Sequence, residues 1–275
     1  MRVALYQART GIDPAANARD LAAAVAEAAA GGAAILFTPE MSGLLDRDRQ
    51  RAAAHYRHEA DDPVLTEVRE AAAGAGIWVA LGSLALLADD EARLVNRSFL
   101  IDDTGAIRAR YDKLHLFDVD LPTGESWRES AAFRPGEEAV LAESPLGKLG
   151  LSICYDLRFP ALYQALSGAG AKALSIPAAF TVPTGEAHWQ VLLRARAIEN
   201  ACFVIAAAQC GQHADGRATY GHSLVVDPWG KLLLDLGGEG PGVGFADLDL
   251  GAPEAVRARL PVIAHRREIP AVSAA

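Results

Sequence analysis

Three side chains that could carry out acid–base or nucleophilic chemistry each stand just past the end of an apolar, extended stretch. They are Glu40, Lys113 and Cys154. In α/β proteins the carboxyl ends of strands form the rim of the ligand crevice. We therefore expect these three side chains to meet at one site.

A thiol, an ammonium and a carboxylate together suit nucleophilic catalysis. The thiolate is the attacking form of cysteine, and a neighbouring ammonium such as that of Lys113 stabilises it. A carboxylate such as Glu40 can accept the thiol proton and later deprotonate water. The Lys113 cation also faces the oxyanion that forms on attack. The sequence after Cys154 predicts a sharp strand-to-helix turn, whose backbone N–H groups would point toward the sulfur.

Other polar residues are interpreted as structural. Cys202 falls inside a predicted strand as a buried thiol, and Cys210 ends another strand. His188 and His222 are expected to be hydrogen-bonded structural residues. The charges of the run 194–199 have helical spacing, so we expect them on a solvated or subunit-facing side of a helix rather than in a nucleic-acid patch.

The first half of the chain alternates extended and helical segments. The predicted order is a strand at 3–6, a helix at 14–30, a strand at 34–37, a helix opened by Asp62-Pro63, a strand at 77–81 and a hairpin at 96–111 that turns at 102–105. Asp followed by Pro opens both helices, because the carboxylate caps the first turn and proline fits the first helical position.

The second half repeats this plan. The stretches 98–105 and 223–230 share Ser, Asp and Gly at an offset of 125, and 35–39 resembles 173–177 at an offset of 138. Two such halves, each a sheet covered by helices on one face, predict an α/β fold with a four-layer αββα sandwich. The alternative is a single doubly wound sheet, but the hairpin that closes each half favours the sandwich. We predict one domain over 1–265 and a C-terminal tail over 266–275.

The composition is that of a soluble globular protein. The chain has 275 residues, of which 51% are hydrophobic and 22% charged, which excludes disordered and collagen-like classes. The net charge of −9 argues against nucleic-acid or anionic-membrane partners, and an anionic substrate would need a local cationic anchor. No signal peptide or membrane span is apparent. Three cysteines without CxxC spacing argue against a disulfide framework, so we expect a cytoplasmic location.

The sequence lacks the motifs of two kinds of enzyme site, a metal centre and a nucleotide-binding loop. No two of the seven histidines are four residues apart, so we expect no metal site. The glycine-dense run 237–244 opens no helix and cannot cradle a pyrophosphate, which argues against a nucleotide-dependent oxidoreductase.

The sequence blocks around the three candidate residues carry a family resemblance. The block FTPEMS contains Glu40, YDKLHLFDVD contains Lys113, and SICYDLRFP contains Cys154. These blocks resemble the signatures of the nitrilase superfamily of carbon-nitrogen hydrolases. The stretches PAAFTVPTGEAHWQVLLRARAIEN and AAQCGQHADGRATYGHSLVVDPWG resemble its deaminated-glutathione amidase branch, a near relative of the omega-amidase branch.

The resemblance runs from Val3 to about Asp249 and implies several properties. It implies αββα subunits in a homodimer or higher homo-oligomer, and a site that uses no cofactor. It implies that Glu40 is the general base, Lys113 the oxyanion stabiliser and Cys154 the nucleophile. A second catalytic glutamate of such sites matches Glu129, which is expected to help Glu40 activate water in the second step.

The resemblance also suggests substrate-binding residues. Arg158, Phe180 and Thr184 match positions that shape the substrate pocket, and the Tyr155 N–H would assist Lys113 at the oxyanion. Arg158 has an alternative interpretation as an ion-pair partner of a carboxylate such as Asp156. Glu186 and Gln190 depart from the family pattern.

Taken together, these features predict a cysteine-dependent amidase that hydrolyses a C–N bond of a small anionic amide through a thioester. Deaminated glutathione is the expected substrate. The alternatives are an omega-amidase acting on 2-oxoglutaramate, an N-carbamoyl amide or nitrile hydrolase, and a non-catalytic binding or interaction module that has kept the fold.

Overall fold

A computed structural model describes residues 1–88, 93–120, 124 and 126–273. The strands are β1 (Arg2–Gln7), β2 (Ile35–Phe37), β3 (Trp78–Leu87), β4 (Leu94–Ile101), β5 (Ile107–Asp112), β6 (Asp118–Asp120), β7 (Ser126–Arg128), β8 (Leu141–Ser144), β9 (Gly147–Leu151), β10 (Ala173–Ser175), β11 (Phe203–Ala206), β12 (Cys210–Gln212), β13 (Ala218–Tyr220), β14 (Leu224–Val226), β15 (Leu232–Asp235) and β16 (Gly242–Asp247). The α-helices are α1 (Pro14–Ala30), α2 (Arg49–Ala53), α3 (Pro63–Ala75), α4 (Pro160–Gly168), α5 (Val182–Asn200) and α6 (Ala252–Arg259).

Two six-stranded sheets share one topology. The first has the order β16-β1-β2-β3-β4-β5, and the second, read from its β8 edge, has the order β8-β9-β10-β11-β14-β15. In each sheet the first pair is antiparallel, the next two pairs are parallel, and the last two pairs are antiparallel. The pseudo-equivalent halves predicted from the repeated sequence are therefore confirmed.

The repeat extends to the hairpin turns. The Asp102 carboxylate accepts the N–H groups of Thr104 and Ala106, and the Asp227 carboxylate accepts those of Trp229 and Lys231. A glycine with positive φ ends each turn, as the left-handed backbone there requires. The shared Ser, Asp and Gly of the two halves thus mark the same turn.

The two sheets pack face to face. Along β1 and β2, alternate side chains such as Leu5 and Phe37 enter the core between the sheets, while Ala4 and Leu36 face the helical layer of α1 and α3. Helices α4 and α5 cover the outer face of the second sheet. This arrangement is the four-layer αββα sandwich expected from the sequence, and the doubly wound alternative is wrong.

Some boundaries differ from the expected ones. Strand β3 runs to Leu87 rather than Leu81, because it stays paired with the long strand β4 beyond a register shift. In the predicted tail, Arg266 donates hydrogen bonds to Gln164 and Asn200, and residues 274–275 lie outside the described residues. The domain boundary at 265 stays a prediction. Among the described residues, no helix is both long enough and apolar enough to span a membrane.

Candidate active site

Glu40 is placed by the loop that follows β2. Its backbone oxygen accepts a hydrogen bond from Gln209 at 3.0 Å, and its carboxylate is buried. The loop passes so close to Gly82 that a Cβ there would lie 2.2 Å from the Pro39 oxygen. A glycine is therefore required on β3 for the Glu40 loop to take this path.

Lys113 follows β5, and its ammonium lies between two carboxylates. Nζ is 2.8 Å from Glu40 Oε1 and 2.9 Å from Glu129 Oε2. Glu129 also accepts the backbone N–H of Phe117 at 2.6 Å. The Nδ2 of Asn96, on β4, donates to both Glu40 and Glu129. The two glutamates and the lysine that the sequence singled out therefore form one hydrogen-bonded cluster.

Cys154 begins a short 3₁₀ helix, Cys154–Arg158, directly after β9. Its φ is +50°, a left-handed conformation that is uncommon for residues other than glycine, and such strain is often found at functional sites. The Cys154 N–H donates to the Pro177 oxygen at 2.8 Å. The sharp turn predicted after this strand is confirmed, and its geometry is held by tertiary contacts.

Asp156 fixes the turn from within. Its fully buried carboxylate accepts hydrogen bonds from the Ile153 N–H, the Tyr111 hydroxyl and the His115 N–H. His115 Nδ1 also lies 2.7 Å from Asp156 Oδ1. Because Tyr111 and His115 flank Lys113, this network couples the position of the lysine to that of Cys154.

The charges of the cluster determine which groups carry protons. Burial disfavours ionisation of Glu40, but the Lys113 ammonium and hydrogen bonds from Cys154, Lys113 and Asn96 hold the pKa of Glu40 below its ordinary value. Burial alone would lower the pKa of Lys113, but Glu129, Glu40 and Cys154 raise it well above its ordinary value. The resting site therefore holds a carboxylate beside an ammonium.

The thiol of Cys154 differs from the thiolate expected at the sequence level. Burial and the negative charge of Glu40 raise its pKa well above the ordinary value, although the Lys113 cation and the Ala179 N–H act in the opposite direction. The sequence predicted both the ammonium and the carboxylate but not the burial, which is the largest cause of the raised pKa. In the resting protein the sulfur therefore keeps its proton.

A cavity of about 710 Å³ opens over this cluster. The four predicted substrate-binding residues, Tyr155, Arg158, Phe180 and Thr184, all line it beside Cys154. The Arg158 guanidinium lies 5.9 Å from the Tyr155 ring centroid and 5.5 Å from that of Phe180. Aromatic faces attract a cation at these distances, which holds Arg158 at the cavity wall.

The alternative interpretation of Arg158 as the partner of Asp156 is wrong, because the Asp156 carboxylate is occupied by other donors. Arg158 Nη1 instead lies 3.3 Å from His188 Nδ1. Among the described residues, four other arginines line the cavity: Arg128 and Arg217 are paired with aspartates, Arg49 donates to the Arg128 oxygen, and Arg47 lies in the same wall. In the part of the chain that the structure describes, Arg158 has no ion-pair partner, so its charge can meet a substrate.

One further prediction is wrong in part. Arg196, expected on a solvated helix face, is buried because α5 packs against the turn after Cys154. Its Nε donates to the Leu157 oxygen at 3.0 Å, and its guanidinium lies over the Tyr163 ring.

Cys202 and Cys210 are buried free thiols. His222 contacts the Asp235 carboxylate, and its oxygen accepts the indole N–H of Trp189.

Sequence reasoning did not identify Asn96 or Ala179 as parts of the site. Asn96 is followed in β4 by Arg97 and Ser98, so its polarity alone does not set it apart in the sequence. Ala179 acts through its backbone N–H, which donates to Glu40 Oε2 at 3.0 Å, and no side chain marks it. Among the described residues, no group of three or more His, Cys, Asp or Glu side chains could hold a metal ion.

Comparison with known proteins gives consistent results. Residues 2–258 match the family model described as carbon-nitrogen hydrolase. A deaminated glutathione amidase of Yersinia enterocolitica is 43% identical over 245 residues, covering 86% of this chain and 82% of that protein. The NitFhit protein of C. elegans has a TM-score of 0.89 and 38% identity, covering 97% of this chain and 65% of that one.

A mutant of an amidase from Nesterenkonia sp. AN1 has a TM-score of 0.79 and 31% identity, with coverage of 95% of this chain and 98% of that one. Its solved structure shows the result of Michael addition of acrylamide at the active site cysteine. These matches confirm the family and the enzyme class expected from the three sequence blocks. The chain belongs to the carbon-nitrogen hydrolase family and is an amidase of the nitrilase superfamily.

Proposed function

We propose that this amidase hydrolyses deaminated glutathione, using Cys154 as nucleophile, Glu40 as general base and Lys113 as oxyanion stabiliser. The observation that carries this assignment is that Cys154 lines the cavity together with a buried Glu40, whose carboxylate Lys113 Nζ contacts at 2.8 Å. The identity of the substrate is inferred from relatives that are named deaminated glutathione amidase. The resemblance of the second half of the chain to that branch agrees with it.

The first half-reaction begins from the protonated thiol. As the sulfur attacks the amide carbon, the thiol proton passes to Glu40, and the carbonyl oxygen becomes an oxyanion. Lys113 has three N–H groups. One serves Glu40 and one can serve both oxygens of Glu129, so the third is left for the oxyanion together with the Tyr155 N–H. Glu40 then returns its proton to the departing amine, and a thioester remains on Cys154.

The second half-reaction regenerates the thiol. Glu40 removes a proton from water, the resulting hydroxide attacks the thioester, and the sulfur leaves and is reprotonated as the acid departs. Glu129 has both oxygens occupied by donors. Its role in this scheme is to hold Lys113 in place, and Glu40 carries out the proton transfers.

Substrate preference tests the proposal. The purified protein would be assayed with deaminated glutathione, 2-oxoglutaramate, an N-carbamoyl amide, a nitrile and a neutral amide of similar size, with products identified by mass. We expect the highest kcat/KM for deaminated glutathione. The largest value for 2-oxoglutaramate would instead assign an omega-amidase, and a larger value for the neutral amide would contradict an anionic substrate.

Substitution of Arg158 adds a second test that uses the same substrates. In a protein of net charge −9, a substrate carboxylate needs a local cation, and a guanidinium can hold it through two parallel hydrogen bonds, which a lysine cannot. We expect Arg158→Lys to lower kcat/KM about 10-fold or more for the carboxylate substrates, on the scale of a charge-assisted hydrogen bond. The neutral amide should be much less affected.

Arg69→Lys is the matched control, because Arg69 donates to the Gly105 oxygen outside the cavity. We expect Arg69→Lys to leave the ratio of kcat/KM between the carboxylate and neutral substrates unchanged. An equal loss for charged and neutral substrates in Arg158→Lys would make Arg158 a support of the fold around Cys154 and would contradict its role as anion anchor.

We also propose that the protein works as a homodimer in the cytoplasm, where its free cysteines stay reduced. An apolar patch supports the dimer. It consists of Val191 and Ile198, two turns apart on α5, and Trp229, in the turn after β14, with exposures of 67%, 44% and 65%. Arg194 connects the two elements by donating to the Gly230 oxygen. Exposed apolar patches commonly mark interfaces, and a self-complementary one gives a two-fold dimer.

Sedimentation of the Val191→Glu/Trp229→Glu double variant tests this patch. We expect the wild type to sediment as a dimer and the double variant as a monomer, because two buried charges per subunit would be unpaired at the interface. Ile269→Glu is the control, since Ile269 is exposed in the C-terminal tail. A double variant that remains dimeric would contradict the patch as the interface.

A further inference from the structure

Asn96 lies directly beside Lys113 in the first sheet. Its backbone oxygen accepts the Lys113 N–H at 3.0 Å, which extends the pairing of β4 and β5. The residue is 1% exposed and lies beneath the floor of the cavity. The same residue therefore contacts Lys113 through its backbone and is close enough to contact the two glutamates through its side chain.

The side-chain amide joins the two carboxylates. Asn96 Nδ2 donates to Glu40 Oε1 at 3.0 Å and to Glu129 Oε1 at 3.2 Å. Lys113 Nζ contacts the same two oxygens at 2.8 and 3.1 Å. Two donors and two acceptors thus form a closed ring. Glu40 Oε2, which accepts the Ala179 N–H, lies outside this ring.

The other end of the amide shows what determines its orientation. Asn96 Oδ1 is buried and has no hydrogen-bond partner, an arrangement that usually costs stability. Rotating the amide by half a turn would direct this oxygen at two carboxylate oxygens. The orientation is thus set by the two glutamates, and the fold tolerates an unpaired oxygen to keep two donors on them.

We propose that Asn96 is a positioning residue that holds Glu40 and Glu129 side by side and keeps Glu40 ionised as the proton acceptor for Cys154. This inference rests on the proposed role of Glu40 as the general base. The amide supplies two hydrogen bonds without adding a charge. A second cation at this place would instead bind Glu40 as an ion pair and reduce its basicity.

The effect on pH dependence follows from the groups that face Glu40. These titratable groups are Lys113, Glu129 and Cys154, and Ala179 adds a backbone N–H. Hydrogen bonds to a carboxylate favour its charged form, so their loss raises its pKa. In the wild type the pKa of Glu40 is lowered, and kcat/KM should fall only below the usual range for glutamate. Without the amide, this fall should occur at higher pH.

Two isosteric substitutions test the proposal. Asn96→Leu removes both donors. Asn96→Asp also places a third carboxyl group beside Glu40 and Glu129, and this added negative charge raises the pKa of Glu40 further. We expect the acid limb of kcat/KM to move up by about one to two pH units in Asn96→Leu, and further in Asn96→Asp. At neutral pH we expect kcat to fall about 10-fold or more with little change in KM.

Asn200→Leu is the matched control. Asn200 is equally buried, and its amide bonds to Arg196 and Ser167 outside the cavity. We expect it to lower the melting temperature and to leave the acid limb in place. If Asn96→Leu does not fold, Asn96→Ser removes the amide without adding bulk or charge. Its acid limb is then compared with those of the wild type and Asn200→Leu.

An acid limb at the wild-type pH in the folded Asn96 variants would overturn the positioning role, even if kcat were lower, because a purely structural residue would have that effect. This outcome is distinguishable from failure of the proposed function. Activity that survives Cys154→Ala would overturn the function itself, whereas an unmoved acid limb with Cys154 still essential would overturn only the role of Asn96.

Discussion

Replacement of Cys154 by alanine is expected to abolish turnover, with kcat reduced to the background of the assay. The substitution removes the atom that forms the thioester, and neither Glu40 nor Lys113 can replace it as a nucleophile. The turn should keep its shape, because Asp156 and Pro177 hold it through hydrogen bonds that do not involve the sulfur. Circular dichroism would verify that the variant is folded.

The other two cysteines are the matched controls. Cys202 and Cys210 are free and buried like Cys154, but the cavity is not lined by either of them. We expect Cys202→Ala and Cys210→Ala to keep most of the activity. Full activity in Cys154→Ala, or loss in all three variants alike, would contradict a single nucleophilic thiol.

Replacement of Lys113 by methionine should lower kcat by about 10² to 10³ or more, the usual cost of losing one oxyanion donor. A second effect adds to this loss. The ammonium lies within 3 Å of both Glu40 and Glu129, and without it two buried carboxylates face each other. The pKa of Glu40 then rises, so less of the base is available at neutral pH.

Steady-state kinetics of Lys113→Met would check this prediction. Lys172→Met is a suitable control, because Lys172 forms a partly exposed ion pair with Glu254 and should contribute little. A rise in KM with kcat unchanged would mean that Lys113 binds substrate without stabilising the oxyanion, which would contradict its assigned role.

Much of the fold and the site could be predicted because the signals are local or periodic. The repeated Ser, Asp and Gly at 98–105 and 223–230 mark one turn in each half, and the structure places those turns at equivalent places in the two sheets. Glu40, Lys113 and Cys154 follow strands whose ends meet at one site. Strand ends therefore suffice to predict that these three side chains lie at one cavity.

The features that could not be predicted depend on contacts between distant segments. Arg196 has the spacing of a solvated helix residue, yet it is buried because α5 packs on the turn after Cys154. The protonated state of the thiol depends on burial and on Glu40, which is more than a hundred residues away in the chain. The role of Asn96 also depends on distant segments, because its two acceptors, Glu40 and Glu129, lie in the segments after β2 and β7.

The acyl-enzyme offers the most direct test of the central claim that Cys154 forms a thioester during amide hydrolysis. Intact mass spectrometry would be applied to wild type quenched in acid during turnover of deaminated glutathione, followed by peptide mapping. The mechanism predicts a covalent acyl adduct on the peptide that contains Cys154, absent from Cys154→Ala and lost on treatment with hydroxylamine. Turnover at full rate with no adduct on Cys154, or an adduct on Cys202 or Cys210 instead, would contradict it.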